Sequence, residues 1–126
     1  PNEFKQFQSL FKERTIHWGF VSDINEYQEK LAIADILLTT AIQDFFGGSV
    51  VEAIHAGAFP ILPNRLAYKE HISEEYLFNN EAELDQMLRL SIAKFSSWDS
   101  RTSKDVEKYS WTNCISKYDD TFESCI

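Results

Sequence analysis

The chain has 126 residues, 44% hydrophobic and 14% aromatic, with a formal net charge of −8. It is long enough for one domain with its own core, and too apolar for a disordered segment. The acidic balance, with a pI near 4.8, repels phosphate backbones and anionic lipid, so direct nucleic-acid binding or membrane attachment by this segment is not expected. No apolar run approaches the ~20 residues that span a bilayer, and no secretory signal pattern opens the sequence. The first residue is Pro1 rather than Met, so we read the chain as a piece of a longer protein.

Asn2 to Arg14 reads as a helix, with Phe4, Phe7, Gln8 and Phe11 near helical spacing and Leu10 widening the apolar face. Thr15 to Val21 is β-branched and aromatic and reads as a strand, with His17 a polar position facing a neighbouring element. Ser22 or Asp23 can N-cap a following helix, with Glu26 placed to close a capping box from Asp23, and Ile24, Tyr27, Leu31 and Ala34 supply its buried face. Asp35 to Thr39 is a short apolar run of the kind buried on both faces of a parallel sheet. Gly47 and Gly48 then make a turn, Ser49 to Ala56 a helix, Gly57 its left-handed C′ residue, and Phe59 to Leu62 the next strand.

Beyond Pro63 the pattern weakens. Asn64 to Glu75 reads as loop with one helical turn at most, Tyr76 to Phe78 as a brief strand, and Glu81 to Phe95 as an amphipathic helix using Leu84, Met87, Leu88 and Ile92. Ser96 to Ser103 is a polar linker, and Asp105 to Cys125 a last helix with Tyr109, Trp111, Ile115, Tyr118 and Phe122 on one face, expected to pack in a core or between domains. The alternation predicts an α/β fold, a Rossmann-like parallel sheet with flanking helices. Cys114 and Cys125 on one helix would stand ~16 Å apart, beyond the ~7 Å that a disulfide spans. A reducing, cytoplasmic setting is therefore expected.

The segment from Asp44 to Glu52 offers the most chemistry. Glycines at 47 and 48 let the backbone turn sharply and approach a ligand. The next helix amides, around Ser49 and Val50, lack intrahelical partners and carry the positive end of the helix dipole, a setting suited to a diphosphate. Glu52, on the first helical turn, can accept from vicinal hydroxyls such as those of a ribose, and Asp44 can reach a polyol on the other side. The alternative is local: Asp44 caps something nearby and Glu52 complements the helix N-terminus, while Ser49 caps the helix or donates to a phosphate. Glu52 and His55 form an E-x-x-H pair, but no second copy accompanies them and His17 and His71 have no ligand-spaced partners, so no metal is expected. G-x-S-x-G, G-x-x-x-x-G-K-[ST] and G-x-G-x-x-G are all absent, which disfavours a serine hydrolase, a P-loop and a dinucleotide fingerprint.

Asp44-Phe45-Phe46-Gly47 through Glu52-Ala53, followed by Ala56-Gly57-Ala58-Phe59-Pro60, resembles the acidic-x7-Glu motif of retaining glycosyltransferases with two Rossmann domains, the GT-B fold and GT4-like group. That family usually has Glu where this chain has Asp44, one methylene shorter. The resemblance implies that Asp44 is the catalytic-site acid facing the donor sugar. It further implies that Phe46, Gly47, Gly48, Ser49, Val50 and Glu52 bind the donor and that Gly19, Phe20 and Val21 hold its base. Tyr109-Ser110-Trp111 resembles the motif that opens the family's final helix, which over 104–126 would pack toward an absent N-terminal domain. HWGFVSD, TAIQDFFGGSVVEAI and FPILPNRLAYKE look most like the family's tRNA-queuosine mannosyltransferase branch, which implies GDP-mannose as donor and no metal or other cofactor. A complete donor domain of this kind starts with two further strands, which in the order of the sheet lie between 15–21 and 35–39, the first followed by basic residues that neutralise the diphosphate. Their absence makes 1–126 a partial domain, expected to complete its sheet with the rest of its protein or with a second copy.

Overall fold

The computed structural model describes residues 2–94 and 102–124. Three short strands run parallel in the order β1 (Ile36–Leu38), β2 (Phe59–Pro63), β3 (Leu77–Phe78). Ile36 pairs with Phe59, Leu38 with Ile61, and Leu62 with Leu77. The connection from β1 to β2 is the helix α3 (Gly48–His55), and α4 (Tyr68–His71) lies between β2 and β3. Around them stand α1 (Asn2–Leu10), α2 (Ile24–Ala32), α5 (Glu81–Ala93), α6 (Thr102–Val106) and α7 (Trp111–Glu123). This is the expected layered α/β arrangement with a parallel sheet.

Local chemistry sets the helix ends. Asp23 N-caps α2 by accepting from the Glu26 amide at 2.8 Å. The Glu26 carboxylate turns instead to Lys30, so the capping box is half made. Asn80 caps α5 in the same way, accepting from the Glu83 amide at 3.0 Å, while Glu83 answers with bonds to Asn79 and Asn80. Gly57, at φ +105°, ends the α3 unit in the left-handed conformation expected of it. The core gathers Val50 and Ile54 of α3, Leu62 of β2, Tyr68 and Ile72 around α4, Leu77 of β3 and Val106 of α6. Burying a side chain such as Ile54 or Leu62 stabilises the fold by about 1.5–3 kcal/mol.

Several sequence expectations are corrected. Thr15 to Val21 forms no strand, and Ile16 and Phe20 are 82% and 90% exposed. β-propensity is realised only where a neighbouring strand satisfies the backbone, and among the described residues no strand pairs with this segment. His17 faces no neighbouring element but bonds locally to the Gly19 carbonyl at 3.1 Å. β1 is not buried on both faces: it is an edge strand with Leu38 43% exposed, and Ile24 at the start of α2 is 61% exposed. The first helix breaks after Leu10 into a 3-10 turn over Lys12–Arg14. Ile92 of α5 points outward, and Phe95 lies outside the described residues.

The last helix is likewise two helices, because Ser110 is extended (φ −65°, ψ 146°) and its carbonyl accepts from the Asn113 and Cys114 amides. Serine favours that start position, so α7 begins at Trp111 as the Tyr-Ser-Trp resemblance implies. Trp111 and Tyr118 stack on each other at 6.2 Å and stay exposed rather than entering the core, whereas Tyr109 packs against it. Cys125, most of the 96–103 linker and the Phe122 side chain lie outside what is described.

Candidate functional site

The loop from β1 to α3 leaves the carboxyl end of a parallel strand, the side of such sheets on which ligands bind. It closes on Gly47, which is buried, adopts φ +78° and ψ 42°, and serves as the N-cap of α3. A Cβ there would stand 2.9 Å from the Tyr68 ring, so both the dihedral and the space require glycine. Gly48 differs: nothing lies within 4 Å of where its Cβ would be.

Asp44 holds this turn. Its Oδ1 accepts from the Gly47 amide at 2.8 Å and its Oδ2 from the Tyr68 hydroxyl at 2.7 Å. The local-capping alternative is therefore realised. A carboxylate has about four lone-pair directions, so two remain for a further donor. Tyr68 is fully buried. Burial first, and then its bond to Asp44, push its phenol above the usual tyrosine range, while the Thr39 side chain and, to a lesser extent, the Arg65 guanidinium work in the opposite direction.

The Val50 and Val51 amides both donate to the Gly47 carbonyl, at 2.9 and 3.0 Å. Val50 is thus not an open donor, contrary to the reading from sequence. A helix leaves its first amides unpaired, and here those are Gly48 and Ser49, both exposed and without a partner among the described residues. Ser49 makes no cap, since Gly47 holds that place without a side-chain bond.

Glu52 lies in the second turn of α3, not the first, so it does not complement the helix N-terminus. At i+4 from Gly48 it shares that residue's face of the helix, a rise of ~6 Å along the axis. Its exposed carboxylate accepts from the Tyr27 hydroxyl of α2 at 2.7 Å, and this bond, with lesser desolvation and charge effects, raises the Tyr27 pKa to about 12. Ile24, Tyr27, Leu31, Glu52 and His55 border a cavity of about 230 Å³ between α2 and α3. Gly19 (φ +102°), Phe20 and Val21 precede α2, with Phe20 90% exposed, and among the described residues no hydrogen bond joins them to the turn or to Glu52. A hollow of about 290 Å³ bounded by Phe59, Met87 and Leu90 lies at the other end of β2, away from the turn.

Phe46 is half-exposed, its ring edge-on to His71 at 5.0 Å and to Tyr109 at 5.1 Å. His71 is buried, with Nε2 2.5 Å from the Phe46 carbonyl and Nδ1 2.8 Å from the Tyr109 hydroxyl. Asp44, Phe46, Gly47, Gly48 and Ser49 thus form one turn, with Glu52 a helical turn beyond. Sequence reasoning did not find Tyr27, Tyr68, His71 or Tyr109 as supports of that turn. The one local cue was Tyr68 with His71 at i, i+3, which places two polar aromatics on one face of a short helix. It also missed Arg65, whose Nη2 lies 3.5 Å from the Thr40 carbonyl in the same loop. Among the described residues no three His, Cys, Asp or Glu side chains gather as a metal ion would require, and no helix is long and apolar enough to cross a membrane.

No family model matches the chain, and no solved structure matches it. Over 88 residues, 70% of its length, the chain is 34% identical to tRNA-queuosine alpha-mannosyltransferase of Drosophila melanogaster. It spans 23% of that protein's length. This similarity supports a glycosyltransferase-like relationship for a chain whose α/β frame carries an open Gly-Gly turn between two acids.

Proposed function

We propose that the chain is the nucleotide-sugar-binding part of a retaining glycosyltransferase that transfers a hexose, mannose from GDP-mannose, to an acceptor in the cytoplasm. The observation that carries the reading is the juxtaposition at the start of α3. The Gly48 and Ser49 amides have no partner among the described residues, nothing lies within 4 Å of where a Gly48 Cβ would be, and Glu52 follows four residues after Gly48 on the same face. A diphosphate accepts from those amides and from the helix dipole, and Glu52 receives the ribose hydroxyls. The base lies toward Gly19, Phe20 and Val21 at the start of α2. Asp44 orients the transferred sugar with the lone pairs that Gly47 and Tyr68 leave open. Stabilising the departing diphosphate is then electrostatic work by fixed donors. The similarity to a mannosyltransferase favours mannose. The unpaired outer edge of β1 is where we place further strands, from the rest of the protein or from a second copy.

One observation favours a second reading, a binding module without transfer: both Asp44 oxygens already serve the turn. The full-length protein, incubated with radiolabelled GDP-mannose and other nucleotide sugars, separates the two. Transfer of label to a tRNA or other acceptor supports the transferase. Binding without transfer supports the module. Inversion at C2 of free donor points to an epimerase, and absence of nucleotide-sugar binding overturns all of them.

A further inference from the structure

We infer that Tyr68 and His71 are positioning residues that clamp one peptide unit, Phe46–Gly47, and thereby aim the Gly48 and Ser49 amides. The two ends of this peptide are held separately. Its N–H donates to Asp44 Oδ1, and Asp44 Oδ2 is in turn fixed by the buried Tyr68 hydroxyl. Its carbonyl accepts from His71 Nε2. Tyr68 and His71 sit three residues apart on α4, so one short helix grips both ends of the peptide.

The chemistry fixes the ring as well as the distances. A carbonyl only accepts, so Nε2 carries the hydrogen, and in the neutral imidazole Nδ1 accepts from the Tyr109 hydroxyl. Tyr109 follows α6 and precedes α7, so the segment that opens the last helix holds the ring in the tautomer that the Phe46 carbonyl selects. The Phe46 ring, edge-on to both His71 and Tyr109, completes the brace. A peptide held at one end could still rotate and carry the next two amides with it. Held at both, it fixes their direction, which is what preorganised anion binding requires. The clamp gains its function from the donor reading above, but it can be tested without a ligand.

Hydrogen exchange on the ligand-free full-length protein compares the peptide covering 44–51 with the strand peptide covering 59–63. In Tyr68→Phe and His71→Ala, exchange of the turn is expected to rise about tenfold while the strand stays protected. His71→Gln, whose Nε2 can take the place of the histidine donor, restores protection. Unchanged exchange of the turn, or a rise matched by the strand, overturns the clamp. A second measurement titrates GDP and guanosine into the same variants. The clamp requires a loss of about tenfold for GDP and none for guanosine, because the aimed amides serve only the diphosphate, and equal losses overturn it. A wild-type protein that binds neither compound sinks the donor reading, and the exchange data then judge the clamp alone.

Discussion

The Tyr27 hydroxyl donates to Glu52 Oε2 across 2.7 Å, tying α2 to α3 beside the open amides of the Gly-Gly turn. One oxygen of Glu52 is thereby occupied and the other left for a ligand. Tyr27 in this way limits how Glu52 presents itself, although it lies 25 positions away in sequence.

The bond carries a pH signature. The Tyr27 phenol is an acid held in its neutral form, with its pKa raised from 10.0 to about 12 in the folded state. The folded chain therefore binds this proton more tightly than the unfolded chain does. The stabilisation is complete below pH 10 and is lost as the pH rises toward 12. Tyr27→Phe should lower stability by no more than about 1 kcal/mol, since the pair is solvent-facing. Urea unfolding of both proteins should give a constant gap from pH 7 to 9 that closes above pH 10. A gap that widens there would remove the bond from the account.

The two glycines should behave oppositely. Gly47→Ala forces a left-handed dihedral and sets a methyl against the Tyr68 ring. The dihedral alone costs about 1–2 kcal/mol, so the melting temperature should fall. Gly48→Ala meets nothing within 4 Å and should leave stability unchanged or slightly raised. If the diphosphate sits on the amides of this turn, an added methyl crowds it, so GDP affinity should drop at least about tenfold, by titration, while the fold is intact. Full affinity in Gly48→Ala would place the diphosphate elsewhere.

The core should respond as a close-packed interior. Leu62, fully buried in β2, packs among Val50, Ile54, Tyr68 and Leu77. Leu62→Ala should cost about 2–5 kcal/mol, measured by urea unfolding. Ile92→Ala, on the exposed face of α5, should fall within about 0.5 kcal/mol.

The parts of the fold visible in the sequence were those that local chemistry decides. Asp23 caps a helix through its own side chain, Gly57 ends α3 by its left-handed backbone, and the apolar runs at 36–38 and 59–63 become strands because they pair with each other. Thr15 to Val21 misled because strand propensity needs a partner strand. At the candidate site, the turn at Gly47 and the helix after it were legible from the sequence, whereas Glu52 was expected one helical turn too early. Tyr27, Tyr68 and His71 were not, because their roles come from contacts 24 or more positions distant, such as Tyr68 on Asp44. The break at Ser110 was missed because helical periodicity runs through it, and the extended serine that starts a second helix shows only in the backbone.

Asp44 offers the sharpest test of whether its acid works on the turn, on a sugar, or on both. Asp44→Ala removes the acceptor of the Gly47 amide and leaves the buried Tyr68 hydroxyl short of a partner. That should cost about 1–3 kcal/mol. Asp44→Asn keeps an acceptor oxygen for Gly47, and its amide nitrogen can donate to Tyr68, so stability should lie near wild type. It nevertheless removes the charge, and if Asp44 orients the transferred sugar, transfer by the full-length protein should fall while GDP affinity holds. Asp44→Glu would match the motif of the resembling family, but the extra methylene pushes the carboxylate out of register with both Gly47 and Tyr68. We expect it to destabilise the turn rather than improve transfer. Calorimetry of the three variants, alongside label transfer from GDP-mannose, separates the roles. A fully active Asp44→Asn would leave Asp44 as a turn residue alone, and a stable, more active Asp44→Glu would show that the hold of Gly47 and Tyr68 on this acid does not limit it.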